Sequence, residues 1–298
     1  MFRVFRSRRM LAAAGLLAVS AVHAQTGNLL DRIKADKRIV LAHRESSVPF
    51  SYFDQDGKPV GYALDVCLQL VKALQKSLAL DRLDVEYLAV TPSNRIEMVE
   101  SGKAQMECGS TTNNAARRKQ VDFTIPHFIT GARLLVKADS PIDRIDHPAL
   151  KTITSTRNTT PLTALKRIDL ERFLKLNVIE AEDHAKAVEM VESGKADAFA
   201  MDDVLLFGLA AGRPDPKALK VVGRFFTTEP LAIMLPKNEP AYKKIVDEEM
   251  RRLIYSGDKL KIYQRWFEQP IPPNNVALNL TPSYLLRDLW KYPTDQMP

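Results

Sequence analysis

Cysteine is nearly absent from this sequence: Cys67 and Cys108 are the only two in 298 residues. That excludes a disulfide-dense scaffold, and nothing around the pair has metal-ligand spacing. After position 24 no apolar run approaches the ~20 residues that cross a bilayer, so the mature chain is expected to lack a membrane span. The common signatures of hydrolytic and nucleotide chemistry are missing too. No G-x-S-x-G or H-E-x-x-H run occurs, and Gly102-Lys103 lacks the upstream glycine of a phosphate loop. Neither a cofactor nor a metal is therefore expected. A strong charge of one sign is also wanting. The formal charge is +7, but Arg3, Arg6, Arg8 and Arg9 precede residue 25; without them 39 bases face 36 acids, a balance of +3. That is too mild to argue for nucleic acid.

What is present points to an exported globule. Apolar residues make up 45% and charged residues 27% of the chain, and the length exceeds what one ordinary core needs, so two lobes are expected. Residues 1–24 read as a secretory signal: MFRVFRSRR carries no acid, an apolar stretch runs from Met10 to about Ala21, and Val22-His23-Ala24 fits a cleavage site before Gln25. Ser7-Arg8-Arg9 bears a faint likeness to a twin-arginine signal, but an ordinary Sec signal is the expectation. In an exported chain Cys67 and Cys108 either form a disulfide or remain as two buried thiols.

Residues 107–124, ECGSTTNNAARRKQVDFT, organise the reading. A short strand ends in the hydroxyls Ser110, Thr111 and Thr112, and Arg117 follows five residues later. Free backbone N–H groups at a helix start favour an anion, and a guanidinium grips both oxygens of a carboxylate. Other polar side chains fall at predicted strand ends or helix starts: Arg44 after the strand 38–43, Ser93 as a candidate helix cap with Arg95 in the first turn, and Thr159-Thr160 in the loop 156–161. Asp183-His184 and Asp202-Asp203 complete the set. In open α/β sheets ligands sit outside the carboxyl ends of strands. The heptad MVESGKA occurs twice, at 98–104 and 190–196, each time between a predicted helix and a strand. This predicts two lobes built on one plan. The apolar segments 127–137 and 229–236 read as paired strands crossing between them, residues 241–267 as helical, and the Pro/Asn-rich tail from 270 as extended before a short helix.

Taken together, HRESSVPFSY (43–52), NRI (94–96), ECGSTTNN (107–114), R-x4-D-F (117–123), Asp183-His184, MDD (201–203) and WF-x2-PIPP (266–273) resemble the periplasmic solute-binding proteins of ABC importers. Within these the likeness is to the glutamate/aspartate-binding members of the type II polar amino-acid family, and it covers nearly all of the mature chain. The resemblance implies a type II α/β fold with two crossing strands as hinge. Its first lobe would comprise 25–132 and 231–298, its second 133–230. It implies a monomer that takes L-glutamate or L-aspartate and serves an inner-membrane ABC permease from the periplasm. It implies that Arg117, with Ser110, Thr112, Thr159 and Thr160, holds the ligand α-carboxylate, that Asp202 takes the ammonium, and that Arg44, Arg95 and His184 read the side-chain carboxylate. A surplus of cations would then select acidic ligands, and an imidazolium at His184 would make affinity fall as pH rises. Pro92 stands where many relatives carry serine, so one side-chain hydroxyl is either lost there or supplied by Ser93. The loop 156–160 lacks a common glycine, and Arg157 is placed to recharge the pocket mouth. The same fold also hosts cyclohexadienyl dehydratases, and a sensor subunit would present the same ligand, but a binding protein without catalysis is the expectation.

Overall fold

The structure is a computed structural model that describes residues 28–296, so the expected signal peptide and its cleavage site lie outside the described residues. Two five-stranded sheets form its framework. In the first the order is 84–89, 38–43, 106–107, 234–235, 122–123; in the second it is 177–181, 152–156, 198–202, 132–137, 219–222. In each sheet the first three strands run parallel and an antiparallel strand follows. The parallel strands are joined through helices, and their buried runs, such as Ile39, Leu41 and Ala42 or Ile153 and Phe199, match the two-sided burial such sheets require.

The repeated heptad marks equivalent corners of the two sheets. The helix Arg95–Glu100 and the helix His184–Glu192 both end at a glycine in the left-handed region, Gly102 (φ 75°) and Gly194 (φ 76°). Gly102 N–H donates to Val99 O and Gly194 N–H to Val191 O; Ala104 N–H donates to Met98 O and Ala196 N–H to Met190 O. The same seven residues thus make the same turn and feed the third strand of each sheet.

The crossing strands are Phe128–Thr130 and Glu229–Leu231, paired antiparallel with Thr130 opposite Glu229. The apolar segment 127–137 is not one strand. It breaks at Gly131, where a Cβ would lie 2.6 Å from Thr227 O, and resumes as Ala132–Lys137 in the second sheet. Ser46–Ser47, Ser51–Phe53 and Pro59–Val60 form a small three-stranded sheet. The helix that follows begins at Tyr62, and Gly61 before it passes so close to Phe50 that a side chain there would meet its carbonyl oxygen at 2.2 Å.

Phe50, Tyr62, Phe128, Tyr263 and Phe267 pack edge-on or stacked at the root of the hinge, with neighbouring ring centroids 4.4–6.3 Å apart. The tail is less extended than expected. It forms a hairpin, Pro270–Ile271 with Val276–Ala277, then the helix Tyr284–Lys291, which buries Leu286 and Leu289. No helix among the described residues is long and apolar enough to cross a membrane.

Cys67 and Cys108 form a disulfide, which settles the two alternatives. It fastens the helix Tyr62–Ser77 to the strand end two residues before Ser110. The loop it closes spans 41 residues, so reduction, or Cys67→Ser with Cys108→Ser, is expected to cost about 4 kcal/mol in denaturant unfolding. A second expectation concerns Lys259, which is buried with its ammonium 4.8 Å from the Tyr62 ring and without a hydrogen-bond partner among the described residues. Burial pushes it down to about 7. A lysine whose folded value lies below its unfolded one costs stability in full below about pH 7, and the cost fades toward the unfolded value of ~10.4. Lys259→Met should therefore raise stability by about 3 kcal/mol at low pH, after allowing for the lost cation–π contact. Thermal melts should show the gain shrinking at alkaline pH; a gain independent of pH would contradict the assignment.

Candidate ligand-binding site

The carboxyl ends of both parallel sheets face each other across the hinge. From the first sheet come Arg44, just past His43, and the run Ser110–Thr112 after Glu107. From the second come the loop 157–160 after Thr156 and Asp202 at the end of its strand. Arg95 and His184 each open a helix, and Arg117 opens a short 3-10 turn.

Eight of the ten expected residues surround one chamber: Arg95, Ser110, Thr112, Arg117, Thr159, Thr160, His184 and Asp202. Arg44 is buried behind it and reaches His184, with Nη2 3.5 Å from Nε2. Ser93 is the exception. The helix starts at Arg95 with Asn94 as its cap residue, Thr91 N–H and hydroxyl are bound to Asn94 Oδ1, and Ser93 is exposed on a wider outer cleft of about 880 Å3. It neither caps the helix nor replaces the hydroxyl missing at Pro92.

The chamber encloses about 10 Å3, room for no more than one water. Its side chains bridge the lobes directly. Asn158 O accepts from Arg95 Nη2 (3.2 Å) and Arg117 Nη2 (3.4 Å), while Arg117 Nη1 donates to Thr112 O at 2.8 Å. Asn158 has φ 58°. Asparagine tolerates the left-handed region better than most residues, so it does the work expected of the missing glycine. Arg157 points away, onto Glu180 at 3.3 Å, and does not recharge the pocket. The Thr159 hydroxyl donates to Thr156 O (2.6 Å) and accepts from Leu162 N–H (3.4 Å), so it caps its helix and shapes the loop.

Burial and the adjacent guanidinium of Arg95 pull Arg44 and Arg117 down to about 9, still cationic at neutral pH; burial lowers Arg95 as well. Burial, then Arg44 and Arg95, hold His184 far below its ordinary value, so the ring is neutral. A guanidinium only donates, so Nε2 facing Arg44 is the acceptor and Nδ1–H donates to Thr156 Oγ1 at 2.8 Å. The imidazolium expected from the sequence is therefore not what this arrangement holds; His184 orients Arg44. Several polar atoms in and behind the chamber are buried without a hydrogen-bond partner among the described residues: Arg44 Nη1, Arg95 Nε, both oxygens of Glu107 and Asp202 Oδ1. Such groups are costly in a site that never meets a polar ligand.

The sequence pattern of the bacterial extracellular solute-binding proteins, family 3, matches residues 39–269. The chain belongs to this family. It is 40% identical to the L-glutamate/L-aspartate-binding protein of Pseudomonas aeruginosa over 95% of this chain and 94% of that one. It is 37% identical to the glutamate/aspartate import solute-binding protein of Escherichia coli over the same shares. Among solved structures, an ancestral arginine-binding protein bound to arginine superposes with TM-score 0.70 at 23% identity, covering 78% of this chain and 98% of that one. That likeness carries the two-lobe fold alone.

Within this solute-binding protein, two acids went unassigned from sequence although both lie in quoted segments. Glu107, fully buried, sits under the strand end. A Cβ at Gly109 would lie 2.2 Å from its Oε1 and 3.0 Å from Arg44 Cγ, which explains a glycine there. Glu229, in the crossing strand, accepts from Thr112 Oγ1 at 2.7 Å and Thr160 Oγ1 at 2.6 Å. With Asp202 these give three carboxylates against three guanidiniums. Burial raises Asp202 well above the ordinary carboxylate range, so the expected surplus of cations is reduced rather than cancelled, which is visible only when residues 107 and 229 are placed beside 44, 95 and 117. For the site as described, the His184 ring should titrate well below the ordinary histidine value, because burial and the guanidiniums of Arg44 and Arg95 disfavour its charged form. NMR of the ring checks this, and a midpoint near the ordinary ~6.5 would show that burial does not govern it.

Proposed function

We propose that this chain captures acidic L-amino acids, glutamate or aspartate, between its lobes and delivers them to an inner-membrane ABC permease, acting as a monomer in the periplasm. The observation that carries the reading is the convergence on one interlobe chamber of two buried guanidiniums, Arg95 and Arg117, and an Asp202 oxygen without a partner among the described residues, with a third guanidinium, Arg44, buried behind them. A molecule with two carboxylates and one ammonium complements that set. Because the chamber is so small, the ligand enters only when the lobes part, with the limits of movement inside the crossing strands near residues 132 and 231. On entry its two carboxylates would take the guanidinium hydrogens of Arg117 and Arg95 that Asn158 O now accepts. Charge-assisted, bidentate contacts would replace single bonds to a neutral carbonyl, which favours closure around the ligand. Arg117 is assigned to the α-carboxylate, Asp202 to the ammonium, and Arg44 and Arg95 to the distal carboxylate.

The relatives at 37–40% identity are named as binding proteins of this ligand class, and the chain is not an enzyme. Titration calorimetry of the mature chain should show one molecule of L-glutamate or L-aspartate per protein and little glutamine. Arg117→Ala should weaken every amino acid by at least about 30-fold, the usual cost of stranding one partner of a desolvated pair. Arg44→Ala should weaken acidic ligands most. Preference for glutamine, or equal losses across ligands in Arg44→Ala, would contradict the assignment.

A further inference from the structure

Glu229 lies on a crossing strand, opposite Thr130, and is buried. Its Oε2 accepts one hydroxyl from each lobe, Thr112 at 2.7 Å and Thr160 at 2.6 Å. The two hydroxyl oxygens are themselves 3.1 Å apart. Thr112 is held in place independently, since its backbone bridges to Leu231 on the same crossing strand. A hydroxyl has one proton and two lone pairs, and an ionised carboxylate only accepts. With both protons committed to Glu229, Thr112 and Thr160 present only lone pairs. They suit an ammonium and oppose a carboxylate, the reverse of the role expected for them from sequence.

We propose that Glu229 is a positioning residue that turns Thr112 and Thr160 into hydrogen-bond acceptors, so that the chamber demands an amine on its ligand and both lobes supply the groups that read it. This rests on the amino-acid-binding function proposed above. Asp202 belongs to the same subsite: its Oδ1 is buried without a partner among the described residues, and Glu229 is its strongest charged neighbour. Two carboxylates held close without a cation between them are unfavourable, and an ammonium relieves that repulsion. Arg117 is a charged neighbour of both Glu229 and Asp202 and is assigned to the ligand's carboxylate, so the two ends of an α-amino acid are sorted by adjacent groups of opposite sign.

The test is titration calorimetry of the mature chain with L-glutamate and with glutarate, which has both carboxylates and no amine. The wild type should strongly prefer glutamate. In Glu229→Gln the amide can donate where the carboxylate accepted, and the glutamate/glutarate ratio of affinities should fall about tenfold or more, roughly the worth of one lost hydrogen bond. Thr160→Val, at a half-buried position, removes one of the two acceptors with its bond to Glu229 but leaves the carboxylate and Thr112 in place, and should lower the ratio likewise. A merely structural Glu229 would weaken both ligands equally; an unchanged ratio in both variants, or a wild type that binds glutarate as well as glutamate, overturns the proposal. A wild type that binds neither glutamate nor aspartate overturns the function it rests on, and this proposal with it.

Discussion

Three guanidiniums buried at the meeting point of two lobes are the constraint on which the rest of the structure depends. Removing such cations from water is costly unless oxygen atoms surround them. Here the oxygen comes from three carboxylates, Glu107, Asp202 and Glu229, and from the carbonyls of Asn158 and Thr112. Thr112 lies five residues before the Arg117 it serves, but Asn158, Asp202 and Glu229 come from segments far from the arginines beside them. The chamber exists only if both sheets, the crossing strands and the 157–160 loop are assembled together, so the site and the closed arrangement of the lobes are one structural fact.

The framework that delivers these groups is economical because it is used twice. Each lobe places a central strand, a parallel neighbour on either side and an antiparallel strand beyond, and the same heptad turns the corner into the third strand of each. Each third strand then ends in groups that line the chamber, Ser110 and Thr112 in one lobe and Asp202 in the other. The Cys67–Cys108 disulfide fixes the first of these ends to its covering helix, and the aromatic cluster fixes the hinge beneath. The crossing strands are short, and the first ends at Gly131, where a side chain would meet Thr227 O. Glu229 sits on the second and touches both lobes.

Much of this was legible before any coordinates. Alternation and helical spacing located nearly every element, and polar residues at strand ends marked eight of the chamber's lining side chains. The misreadings share one cause. Ser93 was taken for a cap and a ligand contact from its neighbours in sequence, but the helix began two residues later and turned it outward. The resemblance gave His184 a side-chain carboxylate to read, with an imidazolium as one form of that contact, whereas burial beside Arg44 and Arg95 favours the neutral ring. Glu107 and Glu229 looked like ordinary strand residues because their partners are contributed by distant segments.

The amino-acid sequence by itself determined what is local or periodic: strand and helix positions, the repeated corner, the order of hydroxyls and arginines that places the chain in its family. Tertiary structure alone decided which charges face one another, which hydroxyls donate, and which of two buried thiols states holds. Electrostatic attraction and hydrogen bonding act through space over a few ångströms and depend on direction, so two residues 117 positions apart, such as Thr112 and Glu229, acquire their roles only when folding brings them together.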